Sequence, residues 1–151
     1  MIDPSKLRIR RSISDVTAME MATYVREHFR EKFIGKQPRR GAFIVLDPAG
    51  EVLVQTPMGD WQPRHNATAH KKARTALFLQ ANTGPLEQKI RNGHGKDIET
   101  TFEGGVALFA LDDCSPESFV GVAAFSGVPD SKKDVELVVE AANSVRLFAQ
   151  S

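Results

Sequence analysis

Hydrophobic and polar positions along the chain fall into two rhythms. Val16, Met19, Ala22, Val25, Phe29 and Phe33 recur at three and four residues, which predicts one apolar stripe on a first helix. Ser12 with Asp15, or Thr17 with Glu20, has the spacing of a capping box at its start. The stretch from Gly35 to Gly41, which contains Pro38, ends it. Ala42-Phe43-Ile44-Val45-Leu46 is then a short apolar run rich in β-formers. Asp47-Pro48-Ala49-Gly50 is turn chemistry, and Glu51 to Thr56 follows with partial alternation. This predicts a hairpin whose second strand has one wet face.

The stretch from Pro57 to Arg64 reads as a loop, with Asn66 or Thr68 capping a second helix. There Ala69, Ala73, Ala76, Leu77 and Gln80 face one way, and His70, Lys71, Lys72 and Arg74 fall on the flanks. Residues 82–105 are irregular, with a short helix opened by Pro85. Two further apolar runs, Gly105 to Leu111 and Ser118 to Phe125, flank a polar turn. Neither alternates, so both faces are expected to be covered and this hairpin to lie centrally in its sheet. Ser131 with Asp134 fits a capping box for a final helix. Its stripe is Val135, Val138, Ala142, Val145 and Ala149, and Leu137, Ala141 and Phe148 widen it as a second subunit would require. Helix, hairpin, helix, irregular connection, hairpin, helix is the order of an α+β domain. Residues 1–11 read as a loosely held basic arm and residues 12–151 as a single domain.

Charge and composition narrow the chemistry. The 20 Lys and Arg against 19 Asp and Glu leave a net charge of +1, which argues against a general nucleic-acid binder. A single cysteine, Cys114, excludes an intramolecular disulfide and a cysteine-cluster metal site. Its neighbours Asp112 and Asp113 disfavour a thiolate nucleophile. No signal core follows Met1 and no run has the apolar length of a membrane span, so a cytoplasmic protein without a membrane partner is expected. Gly-x-Ser-x-Gly, the P-loop and the zinc-protease histidine pair are absent.

What chemistry remains is gathered near the second helix. His65 and His70 bracket its entry, with Arg64, Lys71, Lys72 and Arg74 close in sequence. Cations at a helix start suit an anionic ligand, and the same residues equally suit a solvated basic face. Trp61 with Met58 offers an apolar lid over a flat ligand, or an anchor in a subunit contact. Gly104-Gly105 reads as a tight turn or bulge before a strand. His28 borders the first helical stripe and reads either as a half-buried helix residue or as a candidate iron ligand.

From Gly41 to Val145 these residues resemble the GlcG/HbpS-like family of haem-binding or haem-degrading domains, whose activity is uncertain. The resemblance is carried by Ala42 to Gly50, by Lys72-Ala73-Arg74-Thr75-Ala76, and by Phe102-x-Gly104-Gly105 followed by Gly121 to Pro129. The chain departs from it where Val106-Ala107 replaces the usual proline and where Ala124 replaces a strand glycine. The resemblance implies a profilin-like α/β/α fold with a five-stranded antiparallel sheet, frequent homo-oligomers, and haem as a cofactor. The absence of a catalytic signature and of a clear acid–base pair favours a binding protein over a catalyst. The expected ligand is haem or a similar flat anionic cofactor, held by Trp61, Arg64, His65, His70, Arg74, Gly104 and Gly105, with His28 toward iron. The alternative is an enzyme or accessory protein for a small organic acid such as a 2-hydroxy acid.

Overall fold

The structure is a computed structural model that describes residues 14–79, 104–109 and 119–145. Helix α1 (Asp15–His28) continues as a 3-10 turn (Phe29–Lys32). Strands β1 (Arg40–Leu46) and β2 (Val52–Gly59), helix α2 (Pro63–Leu79), strands β3 (Gly105–Phe109) and β4 (Phe119–Ser126), and helix α3 (Ser131–Ser144) follow. The basic arm, Ser12, the helix expected at Pro85, His94, Cys114, Phe148 and Ala149 lie outside the described residues.

The strands form one antiparallel sheet in the order β2-β1-β4-β3. It is an α+β fold with four strands among the described residues; the implied fifth strand is not among them. The second hairpin is not wholly central: β4 is, but β3 is an edge among the described strands. Both of its strands are nonetheless fully buried, as their lack of alternation predicts. The reason is a helical layer on each face. Phe43, Val45, Val106, Leu108 and Phe125 pack with α1 and α3, while Ala42, Ile44, Leu46, Ala107 and Ala124 pack with α2. Ala69, Ala73 and Ala76 let α2 lie close on the sheet.

The first hairpin forms as its turn chemistry dictates. The Asp47 carboxylate accepts from the Ala49 and Glu51 N–H groups at 2.9 and 3.0 Å. β2 runs on through Pro57 into the expected loop, which an edge strand tolerates because its outer side donates to no neighbour. α2 then starts at Pro63, earlier than the Asn66 or Thr68 cap expected, because proline suits the first helical position.

Two helix faces differ from the expected stripes. Ser14 caps α1, taking the Thr17 N–H at 3.1 Å, and Thr17 and Glu20 are already helical. The buried face is Ala18, Met21, Ala22 and Val25, whereas Val16 and Met19 are 66% and 62% exposed. The small Ala18 side chain fills the contact that the stripe had given to Met19. In α3 the cap is Asp130, accepting from the Lys132 N–H at 3.1 Å, and Asp134 turns inward instead. Leu137 and Ala141 are completely buried in the chain's own core, so these two positions need no second subunit to cover them.

Candidate functional site

The two helical layers are joined by one buried ion pair. β4 leaves the sheet through Ser126-Gly127-Val128-Pro129. Gly127 is pressed on the start of β1: a Cβ there would stand 2.2 Å from the Arg40 carbonyl oxygen. That close path presents the Val128 N–H to the Asp134 carboxylate at 3.1 Å, in the first turn of α3. From the opposite layer, Lys72 of α2 donates its ammonium to Asp134 at 2.9 Å and to the Phe125 carbonyl at 3.0 Å. Both side chains are 2% exposed.

Gly104 makes room for this ammonium. Its φ is +130°, and a Cβ would lie 2.7 Å from both Lys72 Nζ and the Phe125 oxygen. Its carbonyl accepts the Phe125 N–H at 3.2 Å, so the glycine closes the same corner from the β3 side.

A pocket of about 280 Å³ opens over the pair. Arg64, His65, Thr68 and Lys72 line it from α2, residues 126–129 from the β4 exit, and Asp134 from α3. The helical period explains the α2 wall. His65, Ala69, Lys72, Ala73 and Ala76 share the buried stripe.

The charges in the pocket are set by burial. His65 is 7% exposed, and burial first, then the Arg40 and Arg64 cations, lower its pKa and favour the neutral ring. Its Nδ1 accepts the Gln62 backbone N–H at 2.9 Å, which places the ring proton on Nε2. Burial pushes the Asp134 carboxyl up to about 6 against the pull of the Lys72 ammonium and the Val128 N–H. Asp130 adds a smaller upward push.

Of the residues expected at a site, Arg64 and His65 line the pocket, and Gly104 sits beneath Lys72. Gly105 is buried at the start of β3, paired with Ala124. Trp61 precedes α2, is 42% exposed and is not part of the pocket wall. His70 and Arg74 are bonded to each other at 3.1 Å and do not line the pocket. His28 is on α1, in the opposite layer from α2, stacked on Tyr24 with ring centroids 4.3 Å apart and 3.3 Å from Glu31. Among the described residues no group of three or more His, Cys, Asp or Glu side chains is placed to hold a metal ion. No described helix is long and apolar enough to cross a membrane.

Lys72 and Asp134 are missing from the residues expected to hold a ligand. Lys72 had two signals: it stood among the cations near the helix entry, and it opens the Lys-Ala-x-Thr-Ala stretch, whose Ala73, Thr75 and Ala76 are buried with it. Asp134 had only the look of a capping residue.

Comparison with known proteins places the fold. A family model described as haem degrading protein, HbpS-like, matches residues 13–143. No curated protein matches the chain significantly. The crystal structure of HbpS is similar at TM-score 0.71 and 21% identity, over 88% of this chain and 89% of that one. The PduOC:Heme complex is similar at TM-score 0.73 and 19% identity, over 93% and 99%. Protein ORFY of Klebsiella pneumoniae is similar at TM-score 0.71 and 20% identity, over 89% and 90%. At these identities the solved structures share the fold, while the family model spans both halves of the buried pair and the pocket around it. The chain belongs to the HbpS-like haem degrading protein family.

Proposed function

We propose that this chain is a small-ligand-binding module for haem or a similar flat anionic cofactor, which it senses or sequesters, and that the ligand's acidic groups enter the pocket at the start of α2. The observation that carries this reading is the donor wall of that pocket. Arg64, His65, Thr68 and Lys72 line it from three turns of one helix. The family membership and the fold shared with a haem complex support it.

The residues present suit the carboxylates of haem better than its iron. Arg64 and Lys72 bring positive charge, and His65 brings an N–H in place of the lone pair that iron requires. Haem, when bound, would supply redox and gas-binding chemistry. The chain's own contribution at this pocket is to hold acidic groups, and Trp61 offers a nearby apolar surface for a ring. His28, the sequence candidate for iron, belongs to a separate surface on α1.

Haemin titration followed at the Soret band tests the reading. A saturable shift is expected, weakened about tenfold in Arg64→Ala, as for loss of one charge-assisted hydrogen bond, with the band position kept in His65→Ala. An unchanged Soret band, or a shift lost only in His28→Ala, overturns it. Homo-oligomeric assembly is part of the proposal and rests on the family resemblance; a light-scattering mass at the 16.6 kDa of one chain removes it.

One observation favours a second reading, an enzyme or accessory protein acting on a small organic acid such as a 2-hydroxy acid. Asp134, with its carboxyl near 6, sits beside a lysine in the same pocket, as an acid–base group would. Absence of turnover and of any thermal shift with such acids removes that reading.

A further inference from the structure

We infer that the pocket recognises one carboxylate group, bound between Lys72 and the neutral His65 ring, and that it rejects phosphate. This rests on the reading that the pocket holds a ligand, and it names the chemistry recognised there.

Hydrogen-bond donors come first. An ammonium has three N–H groups. Lys72 gives two, to Asp134 and the Phe125 carbonyl, which leaves one without an acceptor among the described residues. The His65 ring engages Nδ1 with the Gln62 N–H and keeps Nε2–H as a donor. Arg64 and the Thr68 hydroxyl stand on the same wall. These are side-chain donors, and a carboxylate accepts from several at once.

Charge comes next. Arg64 and Lys72 against ionised Asp134 leave one net positive charge, enough to balance a monoanion. A dianion would meet the Asp134 carboxylate without compensation.

The backbone then disfavours phosphate. Phosphate sites at helix starts depend on free main-chain N–H groups. Here four of the N–H groups around the pocket are already engaged. The His65 N–H goes to the Gln62 carbonyl and the Val128 N–H to Asp134. The Lys132 and Lys133 N–H groups go to Asp130.

Size sets the last limit. About 280 Å³ is at the small end of ligand pockets, which run from roughly 300 to 1,000 Å³. That holds a compact carboxylic acid whole, or one carboxylate arm of a larger molecule such as haem. The two sources share one chemistry, and the experiment separates them.

The full chain is titrated with propionate and with inorganic phosphate by calorimetry, and with haemin and haemin dimethyl ester at the Soret band. Propionate binding with no phosphate binding supports the inference and points to a free acid as ligand. Haemin binding at least tenfold tighter than its dimethyl ester supports it and points to a carboxylate arm. Equal binding of haemin and its ester, with no propionate binding, overturns the inference and leaves haem binding intact. Propionate binding with no haemin binding does the reverse. Phosphate binding as tightly as propionate overturns it outright.

Variants locate the contact without relying on the buried pair. Arg64 is exposed, so Arg64→Gln is expected to fold as the parent and to weaken the carboxylate probe several-fold. His65→Gln, which keeps a side-chain N–H, is expected to retain binding that His65→Phe loses. Equal binding by both His65 variants overturns the role given to that ring.

Discussion

Replacing Lys72 by methionine tests the claim that one buried pair locks the two helical layers together. Methionine keeps most of the side chain's length and removes only the ammonium. Asp134, 2% exposed, would then keep the Val128 N–H as its one partner among the described residues. Removing one member of a buried pair typically costs about 3–5 kcal/mol, mostly as the penalty on the charge left behind. At about 2–4 °C per kcal/mol for a domain of this size, the unfolding midpoint should fall by roughly 6–20 °C. The sign of the pH effect follows from burial. Asp134 is already raised to about 6 with Lys72 pulling it down, and without Lys72 it rises further. A carboxyl whose folded-state pKa is raised stabilises fully below its unfolded value near 3.8, and that stability is lost as pH rises through the folded value. The variant should therefore lose less at about pH 5 than at about pH 8. The difference grows by about 1.4 kcal/mol for every tenfold weakening of the folded-state acid. The further change Asp134→Asn keeps an acceptor for the Val128 N–H and removes the stranded charge. Lys72→Met with Asp134→Asn should recover most of the loss at the higher pH. Urea unfolding followed by circular dichroism at both pH values decides it. A loss below about 1 kcal/mol at about pH 8, or an equal loss at both, refutes the argument.

Three further outcomes are expected. Met21→Ala should cost about 2–5 kcal/mol in urea unfolding, and Met19→Ala, on the exposed face of α1, within about 0.5; comparable costs would mean that the buried face of α1 is wrongly placed. Gly104→Ala should destabilise by about 2 kcal/mol or more, because it forces a Cβ at φ +130° to within 2.7 Å of the Phe125 carbonyl oxygen; an unchanged thermal midpoint would remove the packing role given to this glycine. Affinity for propionate should rise several-fold between about pH 7.5 and about pH 5.5 as Asp134 is neutralised and Lys72 is left uncompensated. Asp134 faces Lys72 from α2, Asp130 from the start of its own helix and the Val128 N–H, while burial and the Arg40 and Arg64 cations lower His65 and favour its neutral ring. Calorimetry at the two pH values checks this, and a flat profile contradicts it.

What could be read from the sequence follows the range of the interactions involved. The first hairpin was legible because Asp47 builds its own turn from groups two and four residues away. The buried strands were legible because β1, β3 and β4 carry apolar residues on both faces, which a strand under two helical layers must do. The face of α1 was ambiguous for a definite reason. Val16-Met19-Ala22-Val25 and Ala18-Met21-Ala22-Val25 satisfy nearly the same period, and only contact with the rest of the fold separates them. The site divides in the same way. Arg64 and His65 stood out as cations and imidazole near a helix entry, although the helix begins ahead of both, at Pro63. Lys72 was assigned to a flank because lysine is almost never fully buried unless paired, and its partner lies 62 residues along the chain. Nothing local at Asp134 names that partner, and its position in the first turn of α3 already has an ordinary explanation as capping chemistry. The residues that set the charge of the pocket are thus the hardest to read in advance. Each is unfavourable where it stands until the fold brings the other within 2.9 Å, and a pattern along one chain segment carries no trace of that distance.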